Sequence, residues 1–231
     1  MQYKTESTST AAPIGGEEAE DGRTSLTSRI YARLHADIIS GVLEPGAKLK
    51  IEELRQRYDS GTSPIREALS LLTSNFLVER LDQRGFRVSP INLEQFDELL
   101  KTRCWLEEKG LRESIANGDK HWEEKVVLAA YHLSRTTRGS SEEREILHKD
   151  FHMTLISQCG SRYLLNMCDE LYNQNVRYRM AARSESYPER DIQAEHDAIA
   201  EAVLARDADL AVYRLLQHYT NTGKFLRKHF H

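Results

Sequence analysis

The chain has 231 residues, of which 39% are hydrophobic, and carries a formal net charge of −4. This length has room for two domains, each with a core of its own. No segment approaches the roughly 20-residue apolar run that a membrane span requires, so the composition excludes a membrane-spanning protein.

Two further features indicate a cytoplasmic protein. Cys104, Cys159 and Cys168 are odd in number and lack the spacing of a metal finger, which is typical of buried thiols in a reducing compartment. Residues 1–22 are rich in Ser, Thr, Gly and Glu and have no apolar segment of the kind found in signal peptides. We therefore expect residues 1–22 to form a disordered tail.

Residues 23–90 begin with three helical patterns. Apolar residues at helical spacing predict a first helix over 26–40 and a second over 51–58. A third helix is expected to start at Pro64, where a missing N–H costs nothing, with Thr62 or Ser63 as its cap. The apolar stripe that this helix must bury comprises Ile65, Ala68, Leu69 and Leu72.

Two strand patterns follow the three helices. The runs 77–81 and 86–89 are joined by a tip that contains Arg84 and Gly85, as in a hairpin. Three helices and a hairpin predict a winged helix. Residues 23–90 carry eleven Lys and Arg against eight Asp and Glu, the basic excess that phosphate contacts need. A winged helix used only for protein contacts is the alternative.

The first turn of the third helix has the chemistry of a DNA-reading element. Thr62, Ser63 and Arg66 are expected on its exposed face. A helix N-terminus carries unpaired N–H groups and the positive end of the helix dipole. Such a helix can enter the major groove by its N-terminus and offer hydroxyls and a guanidinium to phosphates and base edges.

The N-terminal segment resembles the DNA-binding domain of the GntR family of bacterial transcription regulators. The resemblance rests on residues 39–49, Ile-Ser-Gly-Val-Leu-Glu-Pro-Gly-Ala-Lys-Leu, and on residues 63–69, Ser-Pro-Ile-Arg-Glu-Ala-Leu. It implies contacts with double-stranded operator DNA from Thr62, Ser63 and Arg66, and from Arg84 and Gly85 at the wing tip. It also implies a homodimer on a near-palindromic operator, with repression as the expected mode of action.

One position departs from the GntR pattern. Many members carry a DNA-contacting arginine at the position that is Glu52 here. Lys50 is the candidate that would supply this positive charge instead. The operator preference of other members therefore does not carry over.

From residue 91 onward the pattern is helical only. Apolar periodicity and breaks at Gly, Asn and Ser predict helices that end near 116 and then run over 121–137, 142–158, 163–183, 189–205 and 208–228. The fold class expected for residues 91–231 is thus an all-α antiparallel bundle of six to seven helices.

Four of the nine histidines are expected to face the interior of this bundle: His148, His152, His196 and His218. They come from three helices, and a bundle core can bring their imidazoles together around a divalent ion. The alternative is that each is a hydrogen-bonded core histidine. The other histidines, which follow no such pattern, are expected at the surface: His35, His121, His132, His229 and His231.

The bundle resembles the FCD ligand-binding domain of the FadR subgroup of GntR regulators. The segments that carry the resemblance are Arg103-x-x-x-Glu107, Phe151-His152, Glu195-His196, Ala205-Arg206-Asp207-Ala208 and His218. In metal-binding members three histidines and an aspartate hold the ion, and the resemblance assigns those histidines to His152, His196 and His218. The position of the aspartate is His148 here.

The histidine at position 148 affects which kind of effector the site would bind. Four neutral imidazoles leave the charge of a divalent ion uncompensated, so the site should attract an anionic oxygen ligand. Imidazole ligands favour zinc or nickel, with manganese as a further candidate. We expect a carboxylate effector whose second carboxylate is bound by Arg103 and one or more of Arg177, Arg179 and Arg183. The alternatives are a pair between Arg103 and Glu107 and a solvated basic face for the others.

Two short segments, residues 159–165 and 202–207, resemble the carbon-starvation-induced regulators of this subgroup. That resemblance implies glutarate or a related five-carbon dicarboxylate as effector.

Two other functions are alternatives to transcription regulation. A metal-dependent enzyme lacks an inward general base beside the histidines, and an architectural DNA-binding protein does not explain a bundle with a polar centre.

Overall fold

The computed structural model describes residues 25–136, 141–182 and 190–230. The expected tail at 1–22 and the candidate effector residue Arg183 lie outside these ranges. Within them no helix combines the length and the apolar character needed to cross a membrane.

The first part of the chain is a winged helix, as the sequence predicts. Its elements are α1 (Leu26–Ile39), β1 (Lys48–Leu49), α2 (Ile51–Tyr58), α3 (Thr62–Ser74), β2 (Val78–Leu81) and β3 (Gly85–Val88). The strands form an antiparallel sheet in the order β1-β3-β2. β1 was not predicted, because two residues are too few for an alternating pattern.

The start of α3 differs from the expectation. The helix begins at Thr62 and its N-cap is Gly61, whose backbone is extended with φ −76° and ψ 168°. Neither Thr62 nor Ser63 is the cap, and Pro64 is not the first helical residue. Proline is still tolerated there, because the N–H groups of a first turn have no partner within the helix. Both hydroxyl side chains therefore lie in the exposed first turn.

A separate apolar core holds the winged helix together. It buries the predicted stripe of α3 against α1 and the sheet, and its members include Ile30, Leu34, Ile38, Leu54, Tyr58, Ile65, Ala68, Leu69, Leu72, Phe86 and Val88. α2 ends at Asp59, whose left-handed backbone (φ 47°) turns the chain into α3. This packing fixes the direction in which the first turn of α3 points.

The remaining described residues form six helices around a second core, as the sequence predicts. They are α4 (Leu93–Asn117), α5 (Lys120–Arg135), α6 (Ser141–Leu155), α7 (Arg162–Ala181), α8 (Ile192–Leu204) and α9 (Ala208–His229). α4 and α7 are antiparallel, since Phe96 stacks near Tyr178 at 4.8 Å and the Arg103 guanidinium lies 5.3 Å from the Tyr172 ring centroid.

Two boundaries in the bundle differ from the expectation. α6 ends at Leu155, so Cys159 follows the helix and does not continue its inner face. α8 begins at Ile192, because the Asp191 side chain accepts a hydrogen bond from the main-chain N–H of Ala194 and caps the helix there. Neither difference moves a histidine of the predicted cluster.

Candidate metal centre and nucleic-acid interface

The four histidines that the sequence singles out meet in the bundle core. His148 and His152 lie on α6, His196 on α8 and His218 on α9, and one ring nitrogen from each lies within 4.8 Å of the others. Three of these side chains are buried and His148 is partly buried. The cluster is thus a candidate site for a divalent ion.

Helix geometry places these rings. His148 and His152 are one turn apart on α6, which brings their ring centroids to 4.5 Å. His196 and His218 face each other across α8 and α9 with centroids 4.6 Å apart. Phe151 packs against both sides of the cluster, 5.3 Å from the ring of His196, and closes it from the apolar core.

Two observations indicate that these residues fit a metal ion. Among the described residues, Nε2 of His196 is buried without a hydrogen-bond partner, which is costly for a polar atom unless a ligand satisfies it. The Nε2 atoms of His148 and His152 lie 3.2 Å apart. Ligands that share an ion at about 2.0–2.1 Å are about 3.0–3.4 Å apart, so this spacing suits a shared ion.

A chain of polar groups orients His152. Its Nδ1 lies 2.9 Å from the Tyr219 hydroxyl, and that hydroxyl donates to Oε2 of Glu107. Because the Tyr219 proton goes to Glu107, the Nδ1–H of His152 is the donor to Tyr219. Its Nε2 is then the free acceptor that faces the cluster. Arg103 completes the chain, since its Nε donates to Glu107 Oε1 at 2.8 Å.

His148 is oriented in the same way. Its Nδ1 contacts the Tyr172 hydroxyl, which donates to Oε1 of Glu145 at 2.6 Å. An arginine again completes the chain, because Nη2 of Arg179 donates to the same Glu145 oxygen. Such outer partners fix the tautomer and ring orientation of a metal-binding histidine.

The third chain has no tyrosine. Nδ1 of His218 donates to Oε2 of Glu195 at 2.8 Å, and Nε of Arg190 donates to the other carboxylate oxygen at 2.7 Å. Burial alone would raise the pKa of Glu195, but the hydrogen bonds from His218 and Arg190 lower it to about 2. Glu195 is therefore ionised and holds His218 with Nε2 toward the cluster.

Burial keeps the histidines neutral. It is the main cause that lowers the pKa of His148 and His152 well below the ordinary value, with the neighbouring histidines adding to the effect. Burial and the charge of His218 lower the pKa of His196 to about 2, and burial also lowers that of His218. Neutral imidazole is the form that binds a metal ion.

The predicted effector arginines are placed differently from one another. Arg103 is buried, with 1% of its surface exposed, and pairs with Glu107 at 2.7 Å. The structure thus shows the alternative pairing for Arg103, and its contact with an effector stays a prediction. Arg179 lies at the cluster but pairs with Glu145.

Arg177 does not reach the histidine cluster, in contrast to the expectation. Its buried guanidinium donates to the main-chain carbonyl oxygen of Ser89, just after the wing. Successive residues on a helix point about 100° apart, so the face of α7 that carries Arg177 differs from the face that carries Arg179. Arg183 lies outside the described residues.

α7 also contacts the end of α3. Nε2 of Gln174 donates to the main-chain oxygen of Asn75 at 3.1 Å. The Asn75 side chain donates in turn to Glu170 Oε2 at 3.0 Å and to the Tyr31 hydroxyl at 2.8 Å. The helix that carries Tyr172 and two of the predicted arginines is therefore bonded to the C-cap of the candidate recognition helix.

The candidate DNA surface consists of exposed residues. Thr62 and Ser63 are exposed on the first turn of α3, Arg66 is exposed at the start of its second turn, and Arg84 and Gly85 are exposed at the wing tip. Gly85 has a φ of +92°, a conformation that side chains rarely adopt. The turn therefore requires glycine, which also leaves space for a close approach to DNA.

The charges beside α2 are already paired. Lys50 lies 2.6 Å from Glu53, and Arg55 lies 2.8 Å from Glu52. All four side chains are exposed, and exposed ion pairs are weak, so Lys50 can exchange Glu53 for a phosphate. Its expected DNA contact stays a prediction.

The sequence analysis missed the groups that orient the histidines, namely Glu145, Tyr172, Glu195, Arg190 and Tyr219. A signal existed for some of them. Glu145 lies three residues before His148 on the same helix face, which places it beside that ring. For Tyr172 the partner lies on another helix, so no spacing rule could have identified it.

Comparisons with known proteins agree with this architecture. Residues 26–88 match the family described as bacterial regulatory proteins, gntR family, and residues 98–221 match the FCD domain. BphR of Paraburkholderia xenovorans (strain LB400), an HTH-type transcriptional regulator, is 38% identical over 88% of this chain and 86% of its own. The transcriptional repressor GlaR of Escherichia coli (strain K12) is 33% identical over 81% of this chain and 90% of its own.

Solved structures share the fold. Escherichia coli McbR/YncC superposes with a TM-score of 0.77 at 19% identity and covers 90% of this chain and 100% of that one. A putative GntR regulator from Rhodococcus sp. RHA1 gives a TM-score of 0.75 at 21% identity, over 89% of this chain and 99% of that one. The family and these relatives are transcription regulators and not enzymes, which removes the metalloenzyme alternative. The chain belongs to the GntR family of DNA-binding transcription regulators, in its FadR-like subgroup with an FCD domain.

Proposed function

We propose that this regulator is a repressor whose operator binding is controlled by a small carboxylate, bound at a divalent ion in the FCD domain. The observation that carries the proposal is the cluster of four neutral imidazoles with an unpartnered Nε2 on His196. Relatives named as repressors, GlaR and a gluconate operon repressor of Bacillus licheniformis, support repression as the mode of action.

His148, His152, His196 and His218 would hold the ion. Four nitrogen ligands favour zinc or nickel over manganese. When bound, the ion supplies positive charge and a coordination position for an anionic oxygen. Burial would keep the imidazoles neutral, and the three polar chains would keep those of His148, His152 and His218 aimed inward.

The charge around the cluster favours an anionic effector. The three glutamates that orient histidines are each paired with an arginine, as Glu107 with Arg103, Glu145 with Arg179 and Glu195 with Arg190. These pairs cancel, and the histidines are neutral. A bound divalent ion would then keep its full charge, so a carboxylate is the chemistry that the site favours. Glutarate or a related five-carbon dicarboxylate is our candidate.

α7 offers a route from the effector to DNA. It carries Tyr172 at the cluster, and it carries Gln174 and Arg177 against the ends of α3 and the wing. A shift of α7 on effector binding would move the DNA-reading surface of each protomer. To act in this way, the effector must bind one arrangement better, by about 1.4 kcal/mol for each tenfold change in DNA affinity.

We infer the DNA contacts from the exposed surface already described. Thr62, Ser63 and Arg66 would read the major groove, and Arg84 and Gly85 the adjoining groove. The protein would act in the cytoplasm as a homodimer on a near-palindromic operator, because two winged helices at fixed spacing match successive major grooves.

Metal content is the first test. Purified wild type, His152→Ala and His196→Ala would be measured by plasma mass spectrometry, with the exposed His132→Ala as matched control. We expect about one ion per chain in wild type and control and a loss in both cluster variants. If wild type stays free of metal after incubation with zinc or nickel, the histidines only line a polar pocket and the proposal is wrong.

A second measurement tests the control of DNA binding. Fluorescence anisotropy with operator DNA would compare the zinc-loaded protein with and without glutarate. A change of at least about tenfold in the dissociation constant is the expected result. Glutarate without effect in the metal-loaded protein, together with no effect of the four- and six-carbon diacids, would refute the carboxylate effector.

A further inference from the structure

A further arginine lies near the histidine cluster. Arg144 lies on α6 one turn before His148 and two turns before His152, so the three share one helix face at i, i+4 and i+8. The sequence analysis did not select it. Its position places a permanent positive charge just beyond the outer edge of the histidine cluster.

Arg144 is electrostatically coupled to the site. After burial and the charge of His218, the charge of Arg144 is among the causes that lower the pKa of His196, on a different helix. The geometric observation is the stripe on α6, which places Arg144 one helical turn from His148.

Arg144 differs from the other arginines around the cluster. Arg103, Arg179 and Arg190 each form an ion pair with a glutamate. Within 25–136, 141–182 and 190–230, no carboxylate is paired with Arg144, and its side chain is exposed. It is thus an arginine of this site that is free to take a ligand.

The cluster is most accessible at the same end. The side chains of His148, Glu145 and Glu195 are 15%, 24% and 24% exposed, whereas that of His218 is 5% exposed. A ligand from solvent would therefore enter along the N-terminal part of α6. Arg144 lies at this entrance.

We propose that Arg144 binds the second carboxylate of a dicarboxylate effector and so selects diacids over monoacids. The inference rests on the proposed function, which places the first carboxylate at the ion. Four residues of helix advance about 6 Å, which is comparable with the span of a four- to six-carbon diacid. Guanidinium and carboxylate can pair through two parallel hydrogen bonds.

The test is isothermal titration calorimetry of the zinc-loaded, full-length dimer. Succinate, glutarate and adipate would each be compared with the monoacid of equal length, butyrate, pentanoate and hexanoate. The variant is Arg144→Gln, which keeps a polar side chain of similar size. Arg162→Gln is the control, since Arg162 is an exposed arginine at the start of α7.

We expect wild type to bind its best diacid more tightly than the matched monoacid. Arg144→Gln should weaken the diacid about ten- to a hundredfold, leave the monoacid within about twofold and keep the zinc content. The control should match wild type for both ligands.

Other outcomes would overturn the inference in distinguishable ways. An equal loss for diacid and monoacid, or no loss for either, would show that Arg144 does not bind the second carboxylate. The proposed function would survive that result, because the wild type still binds carboxylates. If zinc-loaded wild type binds none of the six acids, the proposed function is wrong and this inference with it.

Discussion

Arg177 of α7 donates a hydrogen bond to the main-chain carbonyl oxygen of Ser89, and this contact joins the FCD domain to the end of the wing. Ser89 is itself tied to the turn after α3, because its hydroxyl donates to Phe76 O at 2.8 Å and its N–H to Leu77 O at 3.0 Å. The Arg177 guanidinium is therefore linked, through the main chain of Ser89, to both the end of α3 and the wing.

Replacing Arg177 should uncouple the two domains. In Arg177→Met, the apolar chain can fill the same space without the bond to Ser89. We expect unchanged zinc content and carboxylate affinity, but an operator affinity that responds to the effector less than in wild type. Calorimetry and anisotropy on one preparation would measure both. A full effector response in Arg177→Met would contradict transmission through this contact.

Removal of the Arg66 guanidinium should weaken operator binding. Arg66 is exposed near the N-terminus of α3, so Arg66→Ala is expected to cost about 1–3 kcal/mol of operator binding without loss of stability. Anisotropy titrations at fixed salt would measure the cost, with Arg162→Ala in the FCD domain as control. Unchanged binding would show that α3 is not the recognition helix.

The series of hydrogen bonds that orients His152 can be tested by removing a single hydroxyl group. Tyr219→Phe removes the hydroxyl between His152 and Glu107. Loss of such an outer partner typically costs ten- to a hundredfold in metal affinity, and we expect a drop of about this size. Competition with a zinc chelator would measure it. Tyr213→Phe is the control because Tyr213 is 62% exposed, and equal affinities in the two variants would refute the role of Tyr219.

Introducing an aspartate at position 148 should separate ion binding from effector binding. In His148→Asp, a carboxylate would replace a neutral imidazole and compensate part of the charge of the ion. We expect the variant to retain metal but to bind the carboxylate effector more weakly. Metal analysis and calorimetry would be made side by side. Stronger effector binding in His148→Asp would contradict the charge argument.

The metal-free protein should lose stability in mild acid. Burial lowers the pKa of His196 to about 2 and lowers that of His152 well below the ordinary value, whereas in the unfolded chain both titrate near about 6.5. As the pH falls below this value, the unfolded chain binds protons that the folded chain does not. The free energy of unfolding therefore decreases, and above about pH 7.5 this contribution vanishes.

Thermal unfolding between pH 7.5 and 5.5, in the presence of a chelator, would measure the effect. We expect the melting temperature to fall with pH, and to fall less steeply in His196→Gln. The exposed His132→Gln should keep the wild-type slope. The same slope in all three proteins would show that the cluster does not take part.

The sequence predicted those features that depend on one helix or hairpin at a time. The apolar stripe of α3 and the inward positions of His148 and His152 follow from helical periodicity alone, and both are found in the structure. Periodicity also placed His196 and His218 on inner faces. Helices packed around one core then brought those faces together.

Helical periodicity does not predict which side chains interact between helices. The sequence offered Arg103, with Arg177 among three further arginines, as a ligand for a carboxylate. In the structure Arg103 pairs with Glu107 and Arg177 with the main chain of Ser89. A pattern along one helix shows which face a side chain occupies, but the partner depends on which helix packs against that face. Arg144 is a different case, because it lies one turn before His148 on the same helix and helical spacing alone would have identified it.

The pairing of each orienting glutamate with an arginine has a regulatory consequence. Because Glu107, Glu145 and Glu195 are neutralised by the protein itself, the bundle core carries no excess charge that an ion must cancel, and we expect the chain to fold without one. Occupancy can then follow the supply of metal in the cell. Under the proposed function, transcription would change only when the ion and the acid are both bound, and neither of them alone would have an effect.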